Sequence, residues 1–137
     1  MTDPRATVVF RWLTAGDACD LDVFDDLLHP DAVIHAPAGL STASAAEEKA
    51  VWQDALTAIP DLRHTVQEVV VDSEVEMARV VVTGTMAGSF GGVEGTGRSF
   101  RIDQAVIAHL RDGKVAEAWE IADIASLMVQ MSDRSTL

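Results

Sequence analysis

The hydrophobic period of this chain changes once, at Pro60, and that change restricts the fold more than any other feature. Before Pro60, apolar residues recur at helical spacing. Val9, Trp12 and Leu13 form one stripe, Leu21, Phe24, Leu27 and Leu28 a second, and Trp52, Leu56 and Ile59 a third. After Pro60, β-branched residues crowd into "TVQEVVVDS" (65–73) and "EMARVVVTGTMAGSF" (76–90). Two further strands are predicted at about 100–110 and 115–123, then a short helix carrying Ile124, Leu127, Met128 and Met131. Helices first and long strands after make an α+β pattern, with the helices gathered on one side of an antiparallel sheet. No repeat or linker interrupts the order, so residues 1–137 read as one domain.

Local signals refine the boundaries. Thr2 or Asp3 is placed to cap the first helix, with Pro4 at its first position and Gly16 as its stop. A second helix is expected from Asp20 to Leu28, before the breaker Pro30, and a short strand in "AVIHAP" (32–37). Ser44 and Glu47 form a capping-box pattern for a third helix from about Ala45 to Ile59. Residues 88–97 hold five of the nine glycines, which predicts a mobile inter-strand loop at the rim of any cavity.

Charge and composition narrow the function. The net charge of -12 argues against nucleic acid and against an anionic membrane surface as partners. The apolar runs are too short for a membrane-spanning helix, and Met-Thr-Asp-Pro-Arg does not resemble a signal peptide. Cys19 is the one cysteine, which fits a reducing cytoplasm. There is no zinc spacing, no G-x-S-x-G elbow and no phosphate-binding loop, so neither a metal nor a cofactor is expected.

Four ionisable residues, His35, Arg79, His109 and Asp123, fall inside apolar strands or at their edges. Each has a structural reading: hydrogen-bonded core histidines, an arginine at the sheet rim, an aspartate capping the last helix. Together they suggest a site, because several unpaired charges are costly to bury without use. "KVAEAWEIAD" (114–123) sharpens the question. Residues of equal parity share a strand face, so Glu117, Trp119, Ile121 and Asp123 point one way. The turn before this strand decides what they meet. A two-residue loop, Asp112-Gly113, pairs Arg111 with Lys114 and sends His109 to the face opposite Asp123. A three-residue loop with Gly113 in a bulge pairs Leu110 with Lys114 and puts His109 on the same face. The second arrangement is preferred here because it gathers these groups. Glu117 then lies at the rim or pairs with Arg111 or Lys114. Neither parity of the strands at 65–90 and 102–110 is cleanly polar, so the helices are expected to cover one face and a second copy of the chain the other.

Nearly the whole chain resembles the SnoaL-like polyketide cyclases of the nuclear transport factor 2-like superfamily. The resemblance is carried by "LLHPDAVIHAP" (27–37), "IPDLRHTVQEVVVD" (59–72), "ARVVVTGTMAGSFGG" (78–92), "GTGRSF" (95–100) and "RDGKVAEAWEIADIASLMVQM" (111–131). It implies a cone-shaped α+β barrel, with a strongly bent antiparallel sheet wrapped around three N-terminal helices and an apolar cavity. It also implies Asp123 as acid/base, His109 as its neighbour, and intramolecular aldol closure of a polyketide ester without metal or cofactor. His35, Trp52, His64, Arg79, Met86, Phe90 and Trp119 are the expected contacts to a hydrophobic small-molecule substrate. Met86 stands where many relatives have histidine, and Glu94-Gly-Thr-Gly where they often have proline-threonine-glycine. Hydroxylase, epoxide hydrolase or isomerase activity, and a non-catalytic binding or dimerisation module, are the other outcomes this scaffold allows.

Overall fold

A computed structural model describes residues 3–132, so Thr2 lies outside the described residues. Asp3 caps a 3₁₀ turn at Pro4–Ala6, and Thr7 then caps helix α1, Val8–Asp17. A second 3₁₀ turn, Leu21–Val23, leads into the single-turn helix α2, Phe24–Leu27. Strand β1 is Leu28–His35 and helix α3 is Ala45–Ala58. Strands β2 (Arg63–Asp72), β3 (Val75–Thr85), β4 (Ser99–Arg111) and β5 (Lys114–Ala122) follow, and helix α4, Ile124–Gln130, comes last. The expected α+β order is therefore present. The second helix is shorter than expected and β1 starts earlier. Pro30 does not break β1, because β1 is an edge strand and tolerates a missing N–H.

The strands lie in the order β1-β5-β4-β3-β2, a curled sheet that does not close. The pairings β2–β3, β3–β4 and β4–β5 are antiparallel, whereas β1 runs parallel to β5. Even-numbered residues of β3 and β4 face the helices: Val80, Val82, Ile102, Val106 and Ala108 are buried with Val9, Trp12, Leu13 and Phe24. Odd-numbered residues form the outer face. A single row crosses all five strands there, apolar from Val70 through Met77 and Ile107 to Trp119 and ending at His35.

Three local devices set the shape. Glu76 of β3 is buried and accepts the N–H groups of Val8 (3.1 Å) and Val9 (2.8 Å), fastening the start of α1 to the sheet. Gly16 is not the helix stop. It lies inside α1, where a Cβ would overlap the Trp52 ring, so its role is close packing of α1 on α3. Ser44 caps α3 by accepting from Glu47 N, while the Glu47 carboxylate reaches back to Ala43 N–H.

The β4–β5 turn uses the two-residue loop. Asp112 and Gly113 both have positive φ, and Arg111 pairs with Lys114. A bulge one pair further on inserts Ala116 and sets His109 opposite Glu117. His109 thus shares a face with Glu117 and Trp119, as expected, but by a different route and on the outer side of the sheet. The glycine-rich loop does reach the cavity rim, yet it is tied down. Phe90 and Val93 exchange backbone bonds, Gly88 N–H donates to Ala58 O, and Gly97 N–H donates to Met86 O.

Candidate active site

A cavity of about 140 Å³ lies between α3, α4 and the inner face of the sheet. That is ample for more than a single water. The wall is mostly apolar: Val51, Trp52, Ile59, Val82, Phe100 and Ile102 supply much of it, and Phe90 and Val93 reach in from the glycine-rich loop. The helices α1 and α2 do not line it. The polar groups in the wall are few: Glu48, His64, Gln104 and Glu120. An apolar cavity with a few convergent polar groups is the usual form of a small-molecule site.

Glu48 sits on the buried stripe of α3, four residues before Trp52. Its Oε1 accepts from the Thr42 hydroxyl (3.0 Å) and its Oε2 from Trp52 Nε1 (3.0 Å). Burial raises its pKa, and those two hydrogen bonds act the other way. Glu120 projects from β5 into the same cavity. Burial, followed by the charge of Glu48, pushes its pKa up to about 8. Glu120 is half-buried by surface area. It lines a mostly apolar cavity, so desolvation is the first cause of the shift. Two carboxyl groups with so little solvent do not both ionise readily, which favours retention of a proton on Glu120. Gln104 completes this wall. Its amide Nε2 donates to Glu120 Oε2 at 3.3 Å, while its Oε1 is buried without a partner. Turning the amide over exchanges the two groups, and either orientation leaves one of them free for a ligand.

His64 enters the cavity from the start of β2. Its Nδ1 lies 2.7 Å from Asp17 Oδ1, and its backbone N–H donates to Asp17 Oδ2 at 2.6 Å. The imidazole packs against Trp52, with ring centroids 5.1 Å apart.

Of the residues expected to form the site, Trp52, His64 and Phe90 line the cavity. The others lie elsewhere. Asp123 is exposed and caps α4, accepting from Ser126 N at 3.0 Å. Since the later part of β5 sends its even-numbered residues inward, Asp123 has the wrong parity to enter the cavity, where its expected acid/base role would need it. His109 is exposed on the outer face, edge-on to Trp119 at 4.9 Å. His35 stacks on the other side of that indole at 5.2 Å and its Nε2 is 2.7 Å from Glu117. Glu117 is therefore not paired with Arg111 or Lys114. Arg79 is exposed and ion-pairs with Glu68 at 2.8 Å. Met86 is fully buried in the core and forms no part of the cavity wall. Among the described residues no group of three or more His, Cys, Asp or Glu side chains is placed to hold a metal ion.

The SnoaL-like polyketide cyclase family model matches residues 6–131. The chain belongs to this family. The SnoaL-like fold recurs in solved structures. IdmH of Streptomyces antibioticus, proposed to be a polyketide cyclase, is 30% identical over 94% of this chain and 98% of its own, with a TM-score of 0.79. AclR of Streptomyces galilaeus, proposed to be a hydroxylase, is 25% identical over 95% and 94%, with a TM-score of 0.75. A proposed SnoaL-like polyketide cyclase of Jannaschia sp. CCS1 is 21% identical over 92% and 90%, and its TM-score of 0.82 supports the fold. No curated protein matches the chain significantly.

Proposed function

We propose that this SnoaL-like protein is an enzyme that closes a ring in a hydrophobic polyketide-like molecule by intramolecular aldol addition, without a metal or organic cofactor. The observation that carries this reading is the placement of two carboxyl groups, Glu48 and Glu120, in the wall of one mostly apolar cavity, where burial favours the protonated form of Glu120. In an aldol closure a C–H bond beside one carbonyl breaks and the electron pair moves onto that carbonyl oxygen as an enolate. The enolate carbon then bonds to a second carbonyl of the same molecule, and the new alkoxide takes up a proton. The product is an isomer of the substrate. A protonated Glu120 donates a hydrogen bond to the oxygen on which charge develops, inside a site where such a bond is strong. Trp52 and Phe90 supply flat apolar wall for the rest of the molecule, in place of the substrate contacts expected at His35, Arg79, Met86 and Trp119.

The test is incubation with a panel of aromatic β-keto esters, with products followed by mass spectrometry. Conversion to a product of unchanged mass is expected, and Glu120→Leu should slow it by about a hundredfold or more. A product one oxygen heavier would favour the hydroxylase reading that AclR suggests, and one water heavier an epoxide hydrolase. Binding without conversion would favour a non-catalytic module.

We also propose a homodimer through the outer face of the sheet. Val70 is 61% exposed, Met77 48% and Ile121 60%, and all three lie on that face with the Trp119 indole. A contiguous apolar surface of this kind is unusual on a monomer and usual at an obligate interface. Light scattering at micromolar concentration should give a dimer mass, and Met77→Lys should give a monomer. A monomer mass for the unsubstituted chain would contradict the dimer.

A further inference from the structure

We propose that His64 is the general base of this cavity and that Asp17 is the residue that positions it, a pairing that rests on the acid–base reading above and adds the base it lacks. Asp17 is the last residue of α1 and His64 the second residue of β2, and the two meet only because the helix packs across the sheet. The Asp17 carboxylate is spent entirely on this one residue: one oxygen on the ring Nδ1, the other on the backbone N–H. A carboxylate only accepts, so the proton of the neutral ring sits on Nδ1. That leaves the lone pair on Nε2, for which no hydrogen bond is formed among the described residues, on a side chain that lines the cavity. The ring also packs against Trp52, tilted by 47° to the indole, and the His64 side chain is only 8% exposed. A ring held by a carboxylate at one nitrogen, with the other nitrogen toward an apolar cavity, is the arrangement of a general base and its orienting group.

The chemistry balances. Nε2 takes the proton from the carbon beside the substrate carbonyl, and the C–H pair becomes the enolate. Glu120 hydrogen-bonds the enolate oxygen. After the new carbon–carbon bond forms, the imidazolium returns its proton to the alkoxide, and no oxidant or reductant is needed. Asp17 from α1 is bonded to the ring, and the other titratable groups lining the cavity with His64 are Glu48 from α3 and Glu120 from β5, all acidic. The imidazolium formed in the step is met by the Asp17 carboxylate, inside a cavity whose other titratable groups are acidic.

The probe is 5-nitrobenzisoxazole, a small flat molecule that reports a base in an apolar site. Loss of its ring C–H proton breaks the N–O bond and releases a coloured nitrophenolate, with the C–H pair forming the nitrile. The full chain is expected to exceed free imidazole at equal concentration by about a hundredfold or more. His64→Ala should fall to the imidazole level and regain rate when imidazole is added, a rescue that a purely structural histidine would not show. Asp17→Asn should lower kcat by about tenfold or more with little change in KM, and should change the pH profile. Ring ¹⁵N spectra of the unsubstituted protein supply a readout independent of any variant's folding: the neutral ring of His64 should carry its proton on Nδ1. Three results would overturn the proposal: a proton on Nε2, His64→Ala retaining the rate while Glu120→Gln loses it, or no acceleration by the unsubstituted chain. If elimination depends on His64 while no β-keto ester is isomerised, the base stands and the cyclase reading falls.

Discussion

At about pH 9 the Glu120→Gln variant is expected to be more stable than the unsubstituted protein, and at about pH 5 the two should converge. The direction follows from the raised pKa. Folded Glu120 titrates at about 8, against an ordinary value of 4.5 for an exposed glutamate. Between those values the folded protein keeps a proton that the unfolded chain has released. Stability therefore falls as pH rises through that window and levels off above the folded pKa, with a slope of up to about 1.4 kcal/mol per pH unit. Glutamine has the shape of the neutral acid and no charge to desolvate, so it removes this slope. It also relieves Glu48, whose own pKa is raised by burial. Urea unfolding of both proteins across this range measures the difference directly. Parallel stability curves would mean that Glu120 is ionised in the folded state.

Glu76→Ala should cause the largest loss of stability of any single surface-to-core contact described above. Both Glu76 oxygens are committed to the first two N–H groups of α1, where the helix dipole favours negative charge. Hydrogen bonds to a charged group contribute roughly 1.5–3 kcal/mol each, and alanine would leave two donors unpaired in a closed site. A loss of about 3–4 kcal/mol is expected, with Glu76→Gln losing less because it keeps one acceptor. Chemical denaturation giving a loss under about 1 kcal/mol would show that water replaces the carboxylate. Because α1 ends at Asp17, loosening its start should also disturb the His64 ring at its far end.

The helix-then-strand order, the Ser44–Glu47 cap and the stripe of Val9, Trp12 and Leu13 were legible because each depends on residues close in sequence. The parallel pairing of β1 with β5 was not, since register across the sheet is a tertiary matter. Neither was the Asp17–His64 contact, between residues 47 apart. The site strand was misread by one residue, and one residue exchanges the two faces of a strand. Trp119 and Asp123 both stand at odd positions and mark that parity, in the sequence alone, as the site face. The deciding signal was in β4, where Phe100, Ile102, Gln104, Val106 and Ala108 are buried and Arg101, Asp103 and His109 are exposed. Antiparallel pairing then carries the buried parity to Ala118, Glu120 and Ala122. Glu48 was equally open to view, a carboxylate on the same helical stripe as Trp52 and Ile59, and a charge on an apolar stripe is a candidate functional group.

The most direct measurement is the ¹³C carboxyl titration of Glu120 by nuclear magnetic resonance, without and with a bound aromatic β-keto ester. A midpoint near 8, together with a shift of that resonance on binding, is the expected result, and it would locate the working carboxyl inside the cavity. A midpoint near the ordinary 4.5, unmoved by the ligand, would contradict it.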